Sequence, residues 1–119
     1  MVKSFRDLLV WQRAIQLSVA IYRLTQGFPR EEIYGMTSQM RRSAVSVPSN
    51  IAEGYGRKST ADYVRFLQIA ISSLYEVQTQ LEIARNLGCF SRDAYERIYA
   101  QSRELERMLS SLIRKVGPQ

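Results

Sequence analysis

The chain has 119 residues, enough for one domain with a real core and too few for two. Apolar residues make up 45% and charged residues 24%, a balance that argues against a disordered chain, and 17 Lys+Arg against 11 Asp+Glu leave a net charge of +6. There is no His and a single Cys, so the commonest general base, the commonest metal ligand and any internal disulfide are excluded together.

The opening, MVKSFRDLL, has no long apolar run leading to a small-residue cleavage site, so no signal peptide is expected. Ser4 followed by Asp7 reads as a capping box for a first helix. Val10, Ala14, Leu17, Ile21 and Leu24 step by three or four along it, and Gly27 stops it. In FPREE (28–32), Pro29 suits a first-turn position, and Glu31 and Glu32 suit the positive end of a helix dipole. A second helix is therefore predicted to start there and to carry Ile33, Met36, Met40, Ala44, Val47, Ile51 and Tyr55. Its phase runs straight through Pro48. That proline lacks a backbone donor and clashes with the carbonyl of Ala44, so a helix kinked at Pro48 and continuing to about Tyr55 is expected. An interior proline costs up to about 3 kcal/mol, which tertiary or quaternary packing has to offset.

GRKSTAD (56–62) breaks the pattern, and Ser59 with Asp62 reads as a second capping box. The third helix carries Tyr63, Phe66, Ala70, Leu74, Val77, Leu81 and Ala84, and Gly88 is its left-handed cap. The fourth begins at Ser91 and carries Ala94, Ile98, Leu105, Leu109, Leu112 and Val116. Four helices of about 20–28 residues with short connections predict an all-α, antiparallel up-down-up-down four-helix bundle, with residues 1–119 as a single domain. No apolar segment approaches the roughly 20 residues of a membrane span. No membrane partner is expected, and the expected compartment is the cytoplasm.

Fourteen of the 17 cations are Arg, whose planar fork suits phosphate and carboxylate. Residues 1–58 hold nine basic and four acidic groups, residues 59–119 eight and seven, so the excess lies in the N-terminal half. Arg42, Ser46, Asn50, Glu53 and Arg57, spaced 4-4-3-4, form one polar stripe on the second helix. Small residues (Ser43, Ala44, Ser49, Ala52, Gly54) crowd around it and admit a close neighbour. Two readings of the stripe compete. In the structural one, which is preferred, Ser46, Asn50 and Glu53 form a polar seam with Glu76 of the third helix, where Ser73 and Gln80 complete a polar strip. There Asn50 and Glu53 satisfy each other, backbone groups freed near Pro48, or the neighbouring helix. In the functional one, Arg42, Arg57 and Lys58 hold a polyanion. Lys3, Arg6, Arg13, Arg23 and Arg41 are further candidate phosphate contacts, which with Arg30 make up the rest of the basic bias.

The segment SVPSNIAEGYGRKS (46–59) resembles a signature of the four-helix bundle family first described as proteins encoded within intervening sequences of large-subunit (23S) ribosomal RNA genes. FRDLLVWQRAIQL (5–17), FPREEIYGMTSQMRRSAVSVPSNIAEG (28–54) and FLQIAISSLYEVQTQLEIARNLG (66–88) resemble it in order and spacing. The family is related to the accessory variability determinant of diversity-generating retroelements. The resemblance implies a homopentameric ring, contact of a basic surface with RNA or DNA, and work alongside a reverse transcriptase. The competing class is a protein–protein interaction module whose charge is incidental.

No enzyme is expected. Cys89 has no His partner, Glu-x-x-His metal pairs do not occur, and EGYGRKS lacks the spacing and the preceding strand of a phosphate loop. No catalytic, cofactor-binding or metal-ligating residue is therefore assigned. Tyr22, Tyr55, Tyr63 and Tyr75 lie on or beside apolar stripes and are expected in the core or an interface, with Trp11 as an anchor. Tyr34, Tyr95 and Tyr99 are expected to be more exposed.

Overall fold

Residues 1–117 are described by a computed structural model, and within them all regular structure is helical. Ser4 and Asp7 do form a capping box: Ser4 Oγ accepts the Arg6 amide at 3.1 Å, and Asp7 Oδ2 accepts the Ser4 amide at 3.2 Å. The box closes a separate 3-10 turn, Phe5–Asp7, and Leu8 is extended before the first α-helix, α1 (Leu9–Thr25), begins.

The second helix departs further from its sequence pattern. Arg30–Glu32 form another 3-10 turn, Ile33–Thr37 a π-turn, and α2 covers Ser38–Tyr55 alone. Gly35 has φ −105° and ψ −107°, so the helical dihedrals break there. This break takes Ile33 out of phase with Met40, and Ile33, predicted in the core, is 46% exposed. With their first turns set apart, α1 and α2 are 17 and 18 residues long, shorter than the predicted range.

Beyond Gly35, α2 runs unbroken through Pro48. Proline brings no N–H to the Ala44 carbonyl. The Ser18 hydroxyl of α1 lies 2.9 Å from that oxygen, and both residues are buried. A neighbouring helix thus meets the backbone demand that proline creates, as buried polar groups require.

α3 (Thr60–Asn86) starts at Ser59, whose Oγ accepts the Asp62 amide at 3.1 Å. The reciprocal half of the predicted box is missing: Asp62 Oδ1 lies 3.6 Å from Arg65 Nε instead. At its end Gly88 takes φ +74°, and the Gly88 and Cys89 amides donate to the Arg85 and Ala84 carbonyls, both at 3.0 Å. This paired arrangement closes the helix with a glycine in the left-handed region, as the sequence predicts. α4 (Arg92–Val116) is capped by Ser91 Oγ, which accepts the Ala94 amide at 3.2 Å.

Each helix packs on two others: α1 on α2 and α4, α3 on α2 and α4. The core between them holds Leu17 and Ile21, Met40, Val47 and Ile51, Leu74, Val77 and Leu81, and Ile98, Leu105 and Leu109, all essentially inaccessible. Leu67 joins it from a position outside the predicted stripe. So does Tyr95, expected at the surface but buried, whose hydroxyl donates to Glu82 Oε1 at 2.8 Å. Trp11 is half-buried against this core, edge-on to Phe5 at 5.2 Å between ring centroids. No helix among the described residues is long and apolar enough to cross a membrane.

Candidate functional site

The polar stripe of α2 resolves into a seam against α3 whose members differ in part from the predicted set. Ser46 Oγ lies 2.9 Å from Ser73 Oγ. Asn50 Nδ2 donates to Ser46, to its carbonyl at 2.8 Å and to its Oγ at 3.0 Å. Gln80 Nε2 donates to Ser43 Oγ at 3.1 Å. Ser43 and Ser46 thus pair with Gln80 and Ser73 of α3, and Asn50 joins the seam through Ser46.

Glu53 and Glu76 stand outside the seam. Glu53 is exposed and its Oε2 accepts from Arg57 Nη2 at 3.3 Å. Glu76 is exposed and makes no hydrogen bond or ion pair among the described residues. Helical rotation explains both. Adjacent helical residues are about 100° apart, so with Gly54 turned onto α3, Glu53 beside it is turned away. On α3 the matching line is Phe66, Ser73 and Gln80, which turns Glu76 aside. Gly54 is buried against α3, where a Cβ would stand 2.7 Å from Phe66 Cβ. Ser43, Ala44 and Gly54, the buried small residues here, therefore serve helix–helix contact.

The candidate cations Arg13, Arg23, Arg41, Arg42, Arg57 and Lys58 are dispersed. Arg13 pairs with Glu104 of α4. Arg23, exposed, lines a shallow groove between α1 and α4 together with Arg97. Arg57 lies over the Phe66 ring at 4.6 Å, with Arg65 over the same ring at 4.7 Å. Lys58 is exposed and unpaired among the described residues. Arg41 is held to the end of α1: its Nε donates to Thr25 Oγ1 at 2.8 Å, its Nη2 to the Tyr22 carbonyl at 3.3 Å, and its guanidinium lies 4.6 Å from the Tyr22 ring centroid. Arg42, exposed, meets Arg41 in a groove of about 650 Å³ at the α1–α2 junction. Arg30 and Tyr34 line the same groove. Sequence reasoning left Arg30 and Tyr34 aside, because only the fold around the turns at 28–37 brings them beside Arg41 and Arg42.

Apolar side chains also remain on the surface. Ile15, Val19 and Tyr22 form a row on α1 at i, i+4 and i+7, each about 40% exposed. Val45 on α2 and Ile69 and Ile83 on α3 are exposed to a similar degree.

Titration within the fold follows packing. The Tyr95 hydroxyl, helped by Arg85 and Asn86, holds the Glu82 carboxyl below its usual range in spite of desolvation, which opposes it. Burial, with Glu32 second, raises the Cys89 thiol, so this side chain is not an activated nucleophile. Burial likewise raises the Tyr63 and Tyr95 hydroxyls. Among the described residues no three His, Cys, Asp or Glu side chains converge as metal ligands would.

Residues 6–111 match the family described as 23S rRNA-intervening sequence protein. Among solved structures, the chain is similar to a protein of unknown function from the S23 ribosomal protein family of Bacteroides thetaiotaomicron, at 28% identity and a TM-score of 0.80. The likeness covers 88% of this chain and 98% of that one. No curated protein sequence matches the chain.

Proposed function

The chain belongs to the 23S rRNA-intervening sequence protein family, and from that premise we propose that it is a non-enzymatic, oligomeric scaffold whose basic surface contacts nucleic acid or a nucleic-acid enzyme such as a reverse transcriptase. The subunit in this reading is an antiparallel up-down-up-down bundle. The order of its cross-helix contacts supports that arrangement: Ser43 meets Gln80 while the later Ser46 meets the earlier Ser73, and Tyr75 meets Glu106 while Gln78 meets Ser102.

The observation that carries the proposal is the apolar row Ile15–Val19–Tyr22, with Val45, Ile69 and Ile83, which a lone subunit leaves in water. Burying it between copies favours assembly, and a ring of five is the assembly we propose. Such a ring concentrates charge. A net +6 per subunit becomes about +30, and polyanion affinity rises with the number of phosphates neutralised. Arg30, Arg42 and Lys58, unpaired among the described residues, are available for that contact.

Light scattering of the purified chain tests the assembly. The expected mass is about five times the subunit's 13.8 kDa, and a monomer refutes the ring. Titration of labelled RNA and DNA at low and high salt tests the contact. Binding that weakens steeply with salt is expected. Its absence at low salt refutes the nucleic-acid role and leaves a protein–protein interaction module.

A further inference from the structure

The groove at the α1–α2 junction is lined by cations without a counter-charge. Three guanidinium groups, Arg30, Arg41 and Arg42, line it, and no carboxylate does. The nearby Glu32 turns its Oε1 back onto the Met36 amide at 3.4 Å. Arg41 is already fixed by Thr25 and Tyr22, whereas Arg30 and Arg42 are exposed and unpaired among the described residues.

Two further features point to a ligand. Tyr34 lines the groove and is 96% exposed, so nothing in the subunit covers either face of its ring. It sits on the Ile33–Thr37 segment, beside the break at Gly35. Thr37, on the groove's floor, is 6% exposed, and its Oγ1 is buried without a hydrogen-bond partner. A buried hydroxyl without a partner is an unmet demand in a fold whose other buried serine and threonine hydroxyls are bonded.

Resting on the reading of a nucleic-acid-contacting scaffold, we propose that this groove binds single-stranded nucleic acid, with Arg30 and Arg42 on phosphates and Tyr34 as the platform on which a base stacks. Guanidinium groups with an exposed aromatic ring between elements are what an unpaired strand requires: charge along the backbone and a face for an unstacked base. An acidic peptide satisfies the arginines but leaves Tyr34 uncovered. A duplex satisfies phosphate contacts but keeps its bases stacked on one another.

The test uses the full chain and a labelled oligonucleotide of about 12 nucleotides, within the range such sites span, read by fluorescence anisotropy beside the duplex of the same sequence. The single strand is expected to bind more tightly than the duplex. Tyr34→Ala is expected to weaken the single strand about tenfold and the duplex far less, with Tyr34→Phe retaining binding. Arg42→Gln is expected to lower the slope of log affinity against log salt by about 0.7, one phosphate contact, while Arg107→Gln, on α4 beside Leu9 and away from the groove, leaves the slope unchanged. Both Tyr34 and Arg42 are exposed, so melting curves equal to wild type are expected for the variants. If the wild type binds while Tyr34→Ala and Arg42→Gln bind equally well, this groove is overturned and the wider nucleic-acid reading stands. If the duplex binds as tightly as the single strand, or polyglutamate displaces the strand equally from wild type and Tyr34→Ala, the stacking role is overturned. If the wild type binds no oligonucleotide at low salt, both fall.

Discussion

Ser18→Ala is expected to cost far more than a serine hydroxyl usually does, because of a proline on another helix. Pro48 has no amide hydrogen for the Ala44 carbonyl, and Ser18 Oγ lies 2.9 Å from that oxygen, with Ser18 8% and Ala44 1% exposed. The same hydroxyl lies 3.0 Å from the Ala14 carbonyl, but that oxygen is within reach of its own helical amide donor. Removing the hydroxyl therefore strands one buried carbonyl. Leaving such a group unsatisfied costs about 1–3 kcal/mol. For a chain of this length that corresponds to a melting temperature lower by about 4–12 °C.

The same reasoning makes a sharper claim about the pair. Pro48→Ala restores an amide donor to the Ala44 carbonyl, so the hydroxyl becomes dispensable. In that background Ser18→Ala should cost only a few tenths of a kcal/mol, giving a coupling of about 1–2 kcal/mol. The cycle cancels the separate effects of Pro48→Ala, which exchanges a better helix former for lost ring packing and a less restricted unfolded chain. Urea unfolding followed by far-UV circular dichroism, with all four proteins at one protomer concentration, measures it. Equal losses from Ser18→Ala in both backgrounds would refute the idea that the serine answers the proline.

Gly54→Ala places a Cβ 2.7 Å from Phe66 Cβ, a contact that no side-chain rotation relieves. A net loss of about 1–3 kcal/mol is expected in spite of alanine's helix advantage, whereas Gly56→Ala, whose Cβ stays 3.6 Å from the nearest atom, should change urea stability by less than about 0.5 kcal/mol. Arg41→Lys should cost about 1 kcal/mol in the same assay, since an ammonium cannot span Thr25 Oγ1 and the Tyr22 carbonyl as the fork does; Arg42→Lys, exposed, should be neutral. The Glu82 carboxyl is held below its ordinary value of 4.5 chiefly by the Tyr95 hydroxyl. A depressed folded value means stability that is present above the unfolded value and lost as pH falls through the folded one. Tyr95→Phe, which keeps the ring, should therefore melt below wild type at neutral pH, with the gap closing as pH falls below the ordinary carboxylate range.

Much of the architecture is local and hence legible in the chain. Ala14, Leu17 and Ile21, or Leu74, Val77 and Leu81, recur at the helical period because one face of each helix must leave water, and that demand is written residue by residue. Ser4, Ser59 and Ser91 mark starts, and Gly88 a stop, because caps answer backbone groups within a few residues. The breaks at Leu8 and Gly35 escape that logic: the apolar period around them is intact and does not mark either turn. The burial of Tyr95 is not legible either, because a period alone does not say where a neighbouring Glu82 waits for its hydroxyl.

The stripe on α2 divides along the same boundary. Its register, its small residues and its continuity through Pro48 are properties of one helix and follow from its own spacing. Which of its polar groups face α3 is a matter of helix rotation, and that rotation turns Gly54 rather than Glu53 onto α3. The donor to the Ala44 carbonyl comes from α1, 26 residues away. Arg30, Tyr34, Arg41 and Arg42 share a groove only because two helices meet at that corner. Sequence alone determined which faces must be buried, since hydrophobic period and capping act over a few residues. Tertiary structure alone decided which polar groups meet, since a hydrogen bond between helices depends on how each is turned and where it lies.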